Sequence, residues 1–367
     1  MRADFLLDPD VVFLNHGSFG ACPRDVFERY QEWQRELERQ PVEFLGRRLP
    51  ELLEHARGKL AAYVGSDPDD LVFVPNATSA VNAAVRSLGL EAAEEVLATD
   101  LEYGANDLLF EHLPPRYVRA TIPLPLPPDD ELVELLFAHA TRLTRVVFVS
   151  HLTSETAVIL PVREICARAR ELGIVSIVDG AHVPGHVPLD LGQLGADVYA
   201  GNCHKWLCAP KGAGFLHVRR ELQERIQPFV TGWGFARDPT FVTRHEHQGT
   251  RDPAAYLTVP DAIAWSQAHD TRAAGHALAV DAQRRLTELT RLPPLSDADR
   301  IGRMVSVHVP ADDADKLQRS LYDEDRIEVP VFARKTAPLL RASFGPYNTA
   351  SELDSLLAAL ERRFNDS

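Results

Sequence analysis

Short apolar runs alternate with longer amphipathic stretches over the first two thirds of the chain. The runs have the length and β-branched content of buried strands, and the stretches carry Leu, Glu and Arg at helical spacing. The pattern predicts strands over Leu71–Val74, Glu95–Ala98, Tyr117–Ile122, Arg145–Ser150, Ile174–Val178 and Gly214–Val218. It predicts helices over Arg24–Arg48, Leu49–Val64, Ser79–Leu88 and Arg163–Leu172. This alternation indicates an α/β fold with a mostly parallel sheet flanked by helices.

The pattern changes after about Pro253. A long helical region leads to the break at Pro293-Pro294, strand-like runs follow, and an amphipathic helix ends the chain. These predicted elements are Asp261–Leu292 (helical), Met304–Val309, Ile327–Val331 and Leu339–Phe344 (strands), and Ser351–Phe364 (helix). They indicate a smaller α+β domain. We therefore expect a large domain over residues 14–252, and a small C-terminal domain over residues 253–367 that also includes residues 1–13.

Composition and charge narrow the class of protein. The 367 residues are enough for about two domains, and 45% hydrophobic and 25% charged residues are ordinary for a globular protein. A net charge of −14 argues against a nucleic-acid partner. No apolar stretch approaches the roughly 20 residues that a membrane helix needs, so we expect no membrane partner. The N-terminal run contains acids, unlike a secretory signal, and we expect a cytoplasmic protein.

The cysteines indicate neither a metal site nor a disulfide framework. Cys22, Cys166, Cys203 and Cys208 form no C-x-x-C pair. Cys203 and Cys208 flank a lysine and have the appearance of reactive thiols. We expect them to be buried small apolar side chains instead.

The segment 174–206 carries the most informative chemistry. One predicted strand runs into Asp179 and, three residues later, His182; the next apolar run leads to Asn202 and Lys205. Open α/β sheets place ligand-binding groups at such strand ends. A carboxylate and a lysine there suggest pyridoxal phosphate (PLP), with Lys205 holding the cofactor as a Schiff base and Asp179 keeping the pyridine nitrogen protonated. Taken singly, Asp179 is more simply interpreted as a helix or turn cap and Lys205 as a surface residue.

A second segment suits a phosphate group. The strand LVFVP runs directly into Asn76-Ala77-Thr78-Ser79-Ala80 and a helix. Backbone N–H groups and hydroxyls at the N-terminal end of a helix bind anions. An N-cap role for Thr78 or Ser79 explains the same residues, so the segment is informative only together with Asp179 and Lys205.

Eight segments in chain order resemble the class V aminotransferase superfamily of fold-type I PLP enzymes. They are FLNHGSFG, VPNATSAVN, DLEYGAN, SHLTSETA, VDGAHVPG, GNCHKWLCAPKGAGFL, HQGTRD and LLRASFGPYNT. Within the superfamily they most resemble the isopenicillin N epimerase-like branch. The landmarks extend from about Phe13 to Thr349, and HKW with the upstream VDGAH is their most specific part. The resemblance implies the fold-type I architecture, PLP as cofactor, an amino-acid substrate and a homodimer with shared active sites.

The resemblance also implies roles for individual residues. Lys205 is the Schiff-base lysine, Asp179 the partner of the pyridine nitrogen, and His182 a neighbour of the ring and its phenolic oxygen. The other expected cofactor contacts are Ala77, Thr78, Asn202 and His204 at the phosphate, Tyr103 stacked on the ring, Ser154 near the phenolic oxygen, and Thr250 at the phosphate of a neighbouring subunit. Arg341 is expected to bind the substrate α-carboxylate, with Arg251 as a competing candidate, and Asn15 and His16 are candidates to face the substrate.

Several of these assignments have structural alternatives. Tyr103 alternatively packs as an aromatic at the rim of the core, and Asn202 turns a loop. Arg341 alternatively forms a structural ion pair. Asn15 and His16 fit a turn within NHGSFG equally well.

Two departures from the superfamily pattern restrict the activity. Cysteine desulfurases of this superfamily carry a catalytic cysteine on a loop before the substrate arginine, whereas residues 310–340 contain none here. A persulfide relay is therefore not expected. Ser154 stands where many relatives have an asparagine, which leaves the tuning of the ring open.

The leading hypothesis is a PLP enzyme that acts on an α-amino acid through a carbanion at the α-carbon. Epimerisation and C–S bond cleavage rank together ahead of transamination, which needs a site that also admits a keto acid. The alternative from another class is a non-catalytic PLP-binding sensor, although the chain shows no extra recognition domain.

Overall fold

A computed structural model describes residues 1–236, 238–334 and 336–365. Its strands are β1 (Val12–Phe13), β2 (Leu71–Val74), β3 (Glu95–Thr99), β4 (Arg116–Ala120), β5 (Thr144–Ser150), β6 (Val175–Gly180), β7 (Val198–Asn202), β8 (Gly214–Val218), β9 (Met304–His308), β10 (Ile327–Glu328), β11 (Val331–Phe332) and β12 (Leu339–Ser343). Its α-helices are α1 (His16–Phe19), α2 (Arg24–Arg39), α3 (Pro41–Glu43), α4 (Leu49–Val64), α5 (Ala77–Ser87), α6 (Gly104–Glu111), α7 (Asp129–Phe137), α8 (Val162–Glu171), α9 (Leu191–Leu194), α10 (Phe241–Glu246), α11 (Ala254–Leu257), α12 (Val259–Ala268), α13 (Arg272–Thr290), α14 (Ala314–Asp325) and α15 (Ala350–Asn365). Across these ranges, no helix combines the length and the apolar composition that crossing a bilayer requires.

Seven strands form the central sheet in the order β2-β8-β7-β6-β5-β3-β4. All neighbours are parallel except β8, which is antiparallel to both β2 and β7. Successive side chains of a strand point to opposite faces, so Ile177 and Val178 enter different apolar clusters, one on each side of the sheet. The predicted fold class, a mostly parallel α/β sheet flanked by helices, is confirmed.

The C-terminal part contains a separate antiparallel sheet. Its order is β11-β12-β9, and α13 packs against β9 and α15. The N-terminal strand β1 pairs in parallel with β10, and Leu14 lies in the apolar cluster of this part. Residues 12–14 are thus attached to the C-terminal part, whereas Phe5 packs in the apolar cluster of the central sheet.

The expected domain boundaries, 14–252 and 253–367 with 1–13, stay a prediction. Helices α11 and α12 pack on α2 and α4, and Val259 and Trp265 belong to an apolar cluster of the central sheet. The packing therefore changes partner between α12 and α13, after residue 268. Residues 366–367 lie outside the described part.

Three predicted elements are interrupted in the structure, and each interruption has a physical reason. The helix expected over Arg24–Arg48 stops at Arg39, because a proline at 41 disfavours helical backbone at Gln40. The helix expected over Asp261–Leu292 is broken between Ala268 and Arg272, where the Asp270 carboxylate accepts the Arg272 N–H. The strand expected over Ile327–Val331 divides into β10 and β11 around Pro330, which has no N–H to donate.

Strands β6 and β7 approach closely at Gly180. A Cβ atom at this position would overlap the phenol ring of Tyr199 in β7. Tyr199 is fully buried, so its ring has no open direction in which to move. Gly180 therefore allows the last residues of β6, including Asp179, to pair in register with β7.

We predict that Gly180→Ala lowers the free energy of unfolding by about 1–3 kcal/mol, the usual cost of overpacking. The control is Gly58→Ala within α4, where an added Cβ meets nothing within 4 Å. That change should raise the free energy of unfolding by about 0.5–1 kcal/mol, because glycine is costly inside a helix. Denaturant titration of the two variants and the wild type measures both effects. A Gly180→Ala variant as stable as the wild type would contradict this account of the strand packing.

Candidate active site

The carboxyl ends of several central strands and the start of α5 surround one cleft. Such a sheet edge is where α/β proteins bind ligands. The cleft brings together the predicted site residues Ala77, Thr78, Tyr103, Ser154, Asp179, His182, Asn202, His204 and Lys205. Its other lining residues are Ser18, Phe19, Asn76, Ser150, Leu152 and Ala181.

Asp179 provides a buried carboxylate at the end of β6, with 6% of its surface exposed. The backbone N–H of Ala181 donates to its Oδ1 at 2.9 Å, and the side-chain amide of Asn106 donates to its Oδ2 at 2.8 Å. Burial raises the pKa of the Asp179 carboxyl, whereas these hydrogen bonds and the charge of Lys205 lower it. The carboxylate is thus oriented on two sides and has no bonded cation among the described residues, a state that favours a cationic ligand.

Lys205 lies in the turn after β7, with its Nζ 3.1 Å from Nε2 of His182. Desolvation lowers the pKa of Lys205 to about 7, and the positive charge of Arg341 acts in the same direction. The charge of Asp179 opposes both. A large fraction of Lys205 is therefore a neutral amine near pH 7, which is the form that adds to an aldehyde.

His182 is buried beside Lys205 and stays neutral. Burial lowers its pKa well below the ordinary value, and the charges of Lys205 and Arg341 add to this effect. The indole N–H of Trp206 donates to its Nδ1 at 3.4 Å. Both ring nitrogens of His182 therefore have neighbours from the turn that carries Lys205.

The end of the cleft at α5 has the features of an anion site. Asn76 caps α5 by accepting the Ser79 N–H at 2.8 Å, and Asn202 accepts the Ala77 N–H at 2.8 Å. Thr78 is the exposed residue of this first turn, where helix N–H groups lack intrahelical partners. Because Ala77 and Ser79 are engaged by side chains, Thr78 is the more open group toward a phosphate.

His204 lies at the same end of the cleft. Its Nδ1 is 3.1 Å from the carbonyl oxygen of Ala213, so Nδ1 carries the proton and donates. Desolvation lowers the pKa of His204 to about 4. The phosphate roles predicted for Ala77, Thr78, Asn202 and His204 stay predictions.

Arg341 is a buried cation on β12, 1% exposed. Its guanidinium donates to the carbonyl oxygen of Ser154 at 2.6 Å and to the Ser18 hydroxyl at 3.0 Å, and its Nε is buried with no partner in the described chain. Among the described residues it forms no ion pair with a carboxylate, and Glu155, whose charge acts on it, pairs with Arg334. Although desolvation lowers its pKa to about 10, Arg341 remains charged at neutral pH. The Ser154 hydroxyl also faces this guanidinium, at 3.3 Å.

Asn15 and His16 stand behind the cleft. The Asn15 Oδ1 accepts from Ser18 at 2.6 Å and lies 3.5 Å from the Arg341 guanidinium. His16 is fully buried, with its Nε2 3.0 Å from the backbone carbonyl of Lys205 and its Nδ1 2.9 Å from the Tyr347 hydroxyl. These contacts position Arg341 and the Lys205 turn, and neither residue lines the cleft.

Arg251 and Thr250 also lie outside the cleft of their own chain. Arg251 donates to the backbone carbonyl of Glu246 at 3.3 Å and rests over the ring of Tyr256. Thr250 is exposed. Within one chain, Arg341 is therefore the arginine placed beside Lys205, and the cross-subunit role of Thr250 stays a prediction.

Tyr103 lines the cleft from the turn between β3 and α6. Its side chain is 44% exposed, as is expected of an aromatic at the rim of the cleft. An open phenol beside Asp179 is available to a flat ring. Stacking on the cofactor stays a prediction.

Sequence reasoning missed two buried polar residues that follow β3 and lie near Asp179, Glu102 and Asn106. Asn106 lies one helical turn after Tyr103 and donates to Asp179. Glu102 is buried and accepts from the Thr99 hydroxyl at 2.5 Å and from the Ser150 N–H and hydroxyl at 2.8 and 2.7 Å. Burial raises the pKa of Glu102 to about 8. The one available signal was the clustering of polar residues after a strand in DLEYGAN.

The two cysteines that flank Lys205 are buried apolar packing residues. Cys203 and Cys208 are buried, as predicted, and burial raises the pKa of the Cys208 thiol to about 12. Neither thiol lines the cleft. They pack within the apolar cluster beneath the Lys205 turn.

Known proteins resemble this chain over nearly its whole length. The family described as Aminotransferase class-V matches residues 13–356. Isopenicillin N epimerase of Streptomyces clavuligerus is 38% identical over 392 aligned residues, covering 98% of this chain and 96% of the relative. L-cysteine desulfhydrase of Arabidopsis thaliana is 27% identical, covering 88% of this chain and 78% of the relative.

A solved structure has the same fold. A mutant of C-DES with glycine covalently linked to its PLP cofactor superposes with a TM-score of 0.84 at 23% identity, covering 98% of this chain and 99% of that chain. The predicted architecture and the resemblance to the isopenicillin N epimerase-like branch are confirmed. The chain therefore belongs to the class V aminotransferase family and is a PLP-dependent enzyme.

Proposed function

We propose that the chain is an amino-acid epimerase, which removes the proton from the α-carbon of an amino acid and returns it with inverted configuration. The observation that carries the proposal is the position of Lys205 and Asp179 in one cleft, with Arg341 next to the cleft lining. Arg341 donates to Ser154 and Ser18 of that lining, and its charge lowers the pKa of Lys205. An amine that is partly neutral at pH 7 is a suitable base for this proton.

The chemistry of the cleft residues fits PLP. Asp179 offers a buried acceptor to the ring nitrogen, Lys205 an amine to the aldehyde, and Thr78 at the start of α5 donors to the phosphate. When bound, PLP supplies an electron sink that lowers the cost of negative charge at the α-carbon. We propose that His182 and Ser154 face the phenolic side of the ring, and that Tyr103 covers one of its faces.

Asp179 controls how effective that sink is. A cationic ring N–H beside the carboxylate would form a charge-assisted hydrogen bond, which is stronger than a neutral one. Asn106 and Ala181 already hold the carboxylate oxygens in place. Binding of the cofactor would therefore cause little further loss of conformational entropy at Asp179.

Arg341 is proposed to bind the α-carboxylate of the substrate. Its guanidinium is desolvated, charged and without a carboxylate partner in the described chain, and Ser154 and Ser18 fix its orientation. A planar guanidinium binds a carboxylate through two parallel hydrogen bonds. Such a contact would place the α-carbon of the substrate near Lys205.

Epimerisation needs a proton donor on each face of the α-carbon. Lys205 follows β7 and Tyr103 follows β3, and these strands lie on opposite sides of β6, which carries Asp179. Tyr103 also lines the cleft with an open hydroxyl-bearing side chain. We therefore propose Tyr103 as the second acid, opposite Lys205.

Relatives support epimerisation and name a second candidate. The relative with 38% identity over nearly the full chain is named for epimerisation of isopenicillin N. C–S bond cleavage is the second candidate, because a relative of 27% identity is named L-cysteine desulfhydrase. Elimination needs the same base and electron sink together with a leaving group at the β-carbon. A persulfide relay is not proposed, since residues 310–340 contain no cysteine.

A homodimer with shared active sites is also proposed. Thr250 is exposed, and the chain just before it exposes two large apolar side chains, Phe229 and Trp233, the latter to 87%. Exposed aromatic residues of this kind are enriched at protein interfaces. A cytoplasmic location stays a prediction.

We predict that Arg341→Ala raises KM for the amino-acid substrate by roughly 30- to 700-fold, while the variant keeps its PLP. A buried charge-assisted contact of this kind contributes about 2–4 kcal/mol. Steady-state kinetics and the absorbance of bound PLP measure the two quantities. In the matched control, Arg251→Ala, KM should stay within about twofold of wild type. If only the control raised KM, the carboxylate site would have to be reassigned to Arg251.

The reaction itself is tested with a panel of L-amino acids and S-substituted cysteines in D₂O. Epimerisation predicts deuterium at the α-carbon and appearance of the D-enantiomer, read by chiral chromatography and mass spectrometry. Lys205→Ala should abolish both. Pyruvate and ammonia from the cysteine conjugates, without inversion of any substrate, would establish C–S cleavage instead. Accumulation of the pyridoxamine form, reversed by a keto acid, would establish transamination.

A further inference from the structure

The residue after Lys205 makes a hydrogen bond that defines a protonation state. Trp206 is 1% exposed, and its indole nitrogen is 3.4 Å from Nδ1 of His182. An indole N–H only donates, so Nδ1 of His182 must accept. A neutral imidazole with a bare Nδ1 carries its proton on Nε2. His182 is neutral because burial lowers its pKa well below the ordinary value.

This tautomer constrains Lys205. The Nε2 of His182 is 3.1 Å from Nζ of Lys205, so the Nε2–H group faces that nitrogen. A neutral amine can accept this hydrogen with its lone pair, whereas an ammonium has donors only. To accept from an ammonium, His182 would need its proton on Nδ1, where it would face the indole N–H of Trp206.

We propose that Trp206 is a positioning residue that locks His182 as the Nε2–H tautomer and thereby keeps the Lys205 nitrogen a hydrogen-bond acceptor. The inference applies equally to epimerisation and to C–S cleavage, because both need Lys205 to act first as a nucleophile or a base. It does not depend on which of the two reactions the enzyme performs.

Trp206 is held in place by rings and a cation from other parts of the chain. His186 stacks on its indole at 3.9 Å between ring centroids, and His16 packs against it at 4.8 Å. The Arg303 guanidinium lies over the indole, 4.6 Å from the ring centroid. The backbone N–H of Arg303 donates to Nε2 of His186, and Nδ1 of His186 donates to the backbone carbonyl oxygen of His182 at 2.8 Å. His186 thus has a fixed tautomer as well.

The charged and titratable groups around Lys205 and His182 are compatible with the proposed tautomer. Those acting on Lys205 are Arg341 and Asp179, and those acting on His182 besides Lys205 are Arg341, His186 and His204. Burial lowers the pKa of both His186 and His204, so neither adds a positive charge. Arg341 favours a neutral Lys205 and Asp179 opposes it. The proposed tautomer adds to the effect of Arg341.

The wild-type holoenzyme tests the tautomer directly. Protein labelled with ¹⁵N at its histidine rings is examined by long-range proton–nitrogen NMR, and the His182 signals are assigned by their loss in His182→Gln. The proposal predicts an unprotonated Nδ1 and a protonated Nε2. A proton on Nδ1 of His182 would overturn it without any reference to activity.

A variant tests the link to Lys205. Trp206→Phe keeps an aromatic ring but removes the N–H, which frees His182 to change tautomer. The visible absorbance of bound PLP, followed against pH, reports protonation of the nitrogen that joins Lys205 to the cofactor. We expect its midpoint to rise by roughly half a unit to one unit, since the preference rests on a single hydrogen bond.

The matched control is Trp33→Phe, because the buried indole nitrogen of Trp33 has no hydrogen-bond partner among the described residues. Its midpoint should equal that of the wild type. An unchanged midpoint in Trp206→Phe, or an equal shift in both variants, would contradict the proposed link.

Discussion

A buried carboxylate at the end of β6 is the constraint on which the cleft depends. Asp179 loses most of its hydration to the surrounding sheet and helices, and desolvating an isolated charge is costly. Two donors, the Ala181 N–H and the Asn106 amide, offset part of this cost. Glu102 lies nearby, and desolvation, with the charge of Asp179 adding to it, raises its pKa to about 8. Glu102 is therefore largely protonated at neutral pH and adds little negative charge beside Asp179.

The same desolvation favours the neutral form of Lys205. Removing water from an ammonium beside the fixed cation of Arg341 disfavours the charged state, so the pKa of Lys205 falls to about 7. Desolvation thus raises the pKa of the Asp179 carboxyl and lowers that of the Lys205 amine. Hydrogen bonds hold each of the two groups in its own position. Asn106 and Ala181 donate to the Asp179 carboxylate, and His182 is hydrogen-bonded to the Lys205 amine.

Sequence alone was sufficient to predict the site residues that lie at the ends of consecutive strands. Asp179 lies at the carboxyl end of β6 and Lys205 in the turn after β7, and these strands are consecutive in sequence and adjacent in the sheet. Asn106 and Glu102 follow β3, which reaches β6 only through β5, so their contact with the Asp179 region depends on strand order. Arg341 and Arg251 could not be distinguished by motif. The two arginines differ in position. Arg341 lies on β12, which is bridged from Ser343 to Asn15, and so it reaches the cleft residues Ser154 and Ser18.

Other features needed three-dimensional packing. The interruption at Pro330 is readable from the sequence, because proline lacks an N–H, but the pairing of β1 with β10 is not. The contacts of Trp206 with His16, His186 and Arg303 join four separated segments. No local pattern predicts such a cluster.

The central claim is that Asp179 keeps the ring nitrogen of the cofactor protonated. The most direct measurement is the ¹⁵N chemical shift of PLP labelled at its ring nitrogen, bound to the wild-type enzyme and to Asp179→Ala at neutral pH. The account predicts a protonated nitrogen in the wild type and an unprotonated one in the variant. An unprotonated ring nitrogen in the wild type, or a protonated one in both proteins, would contradict it.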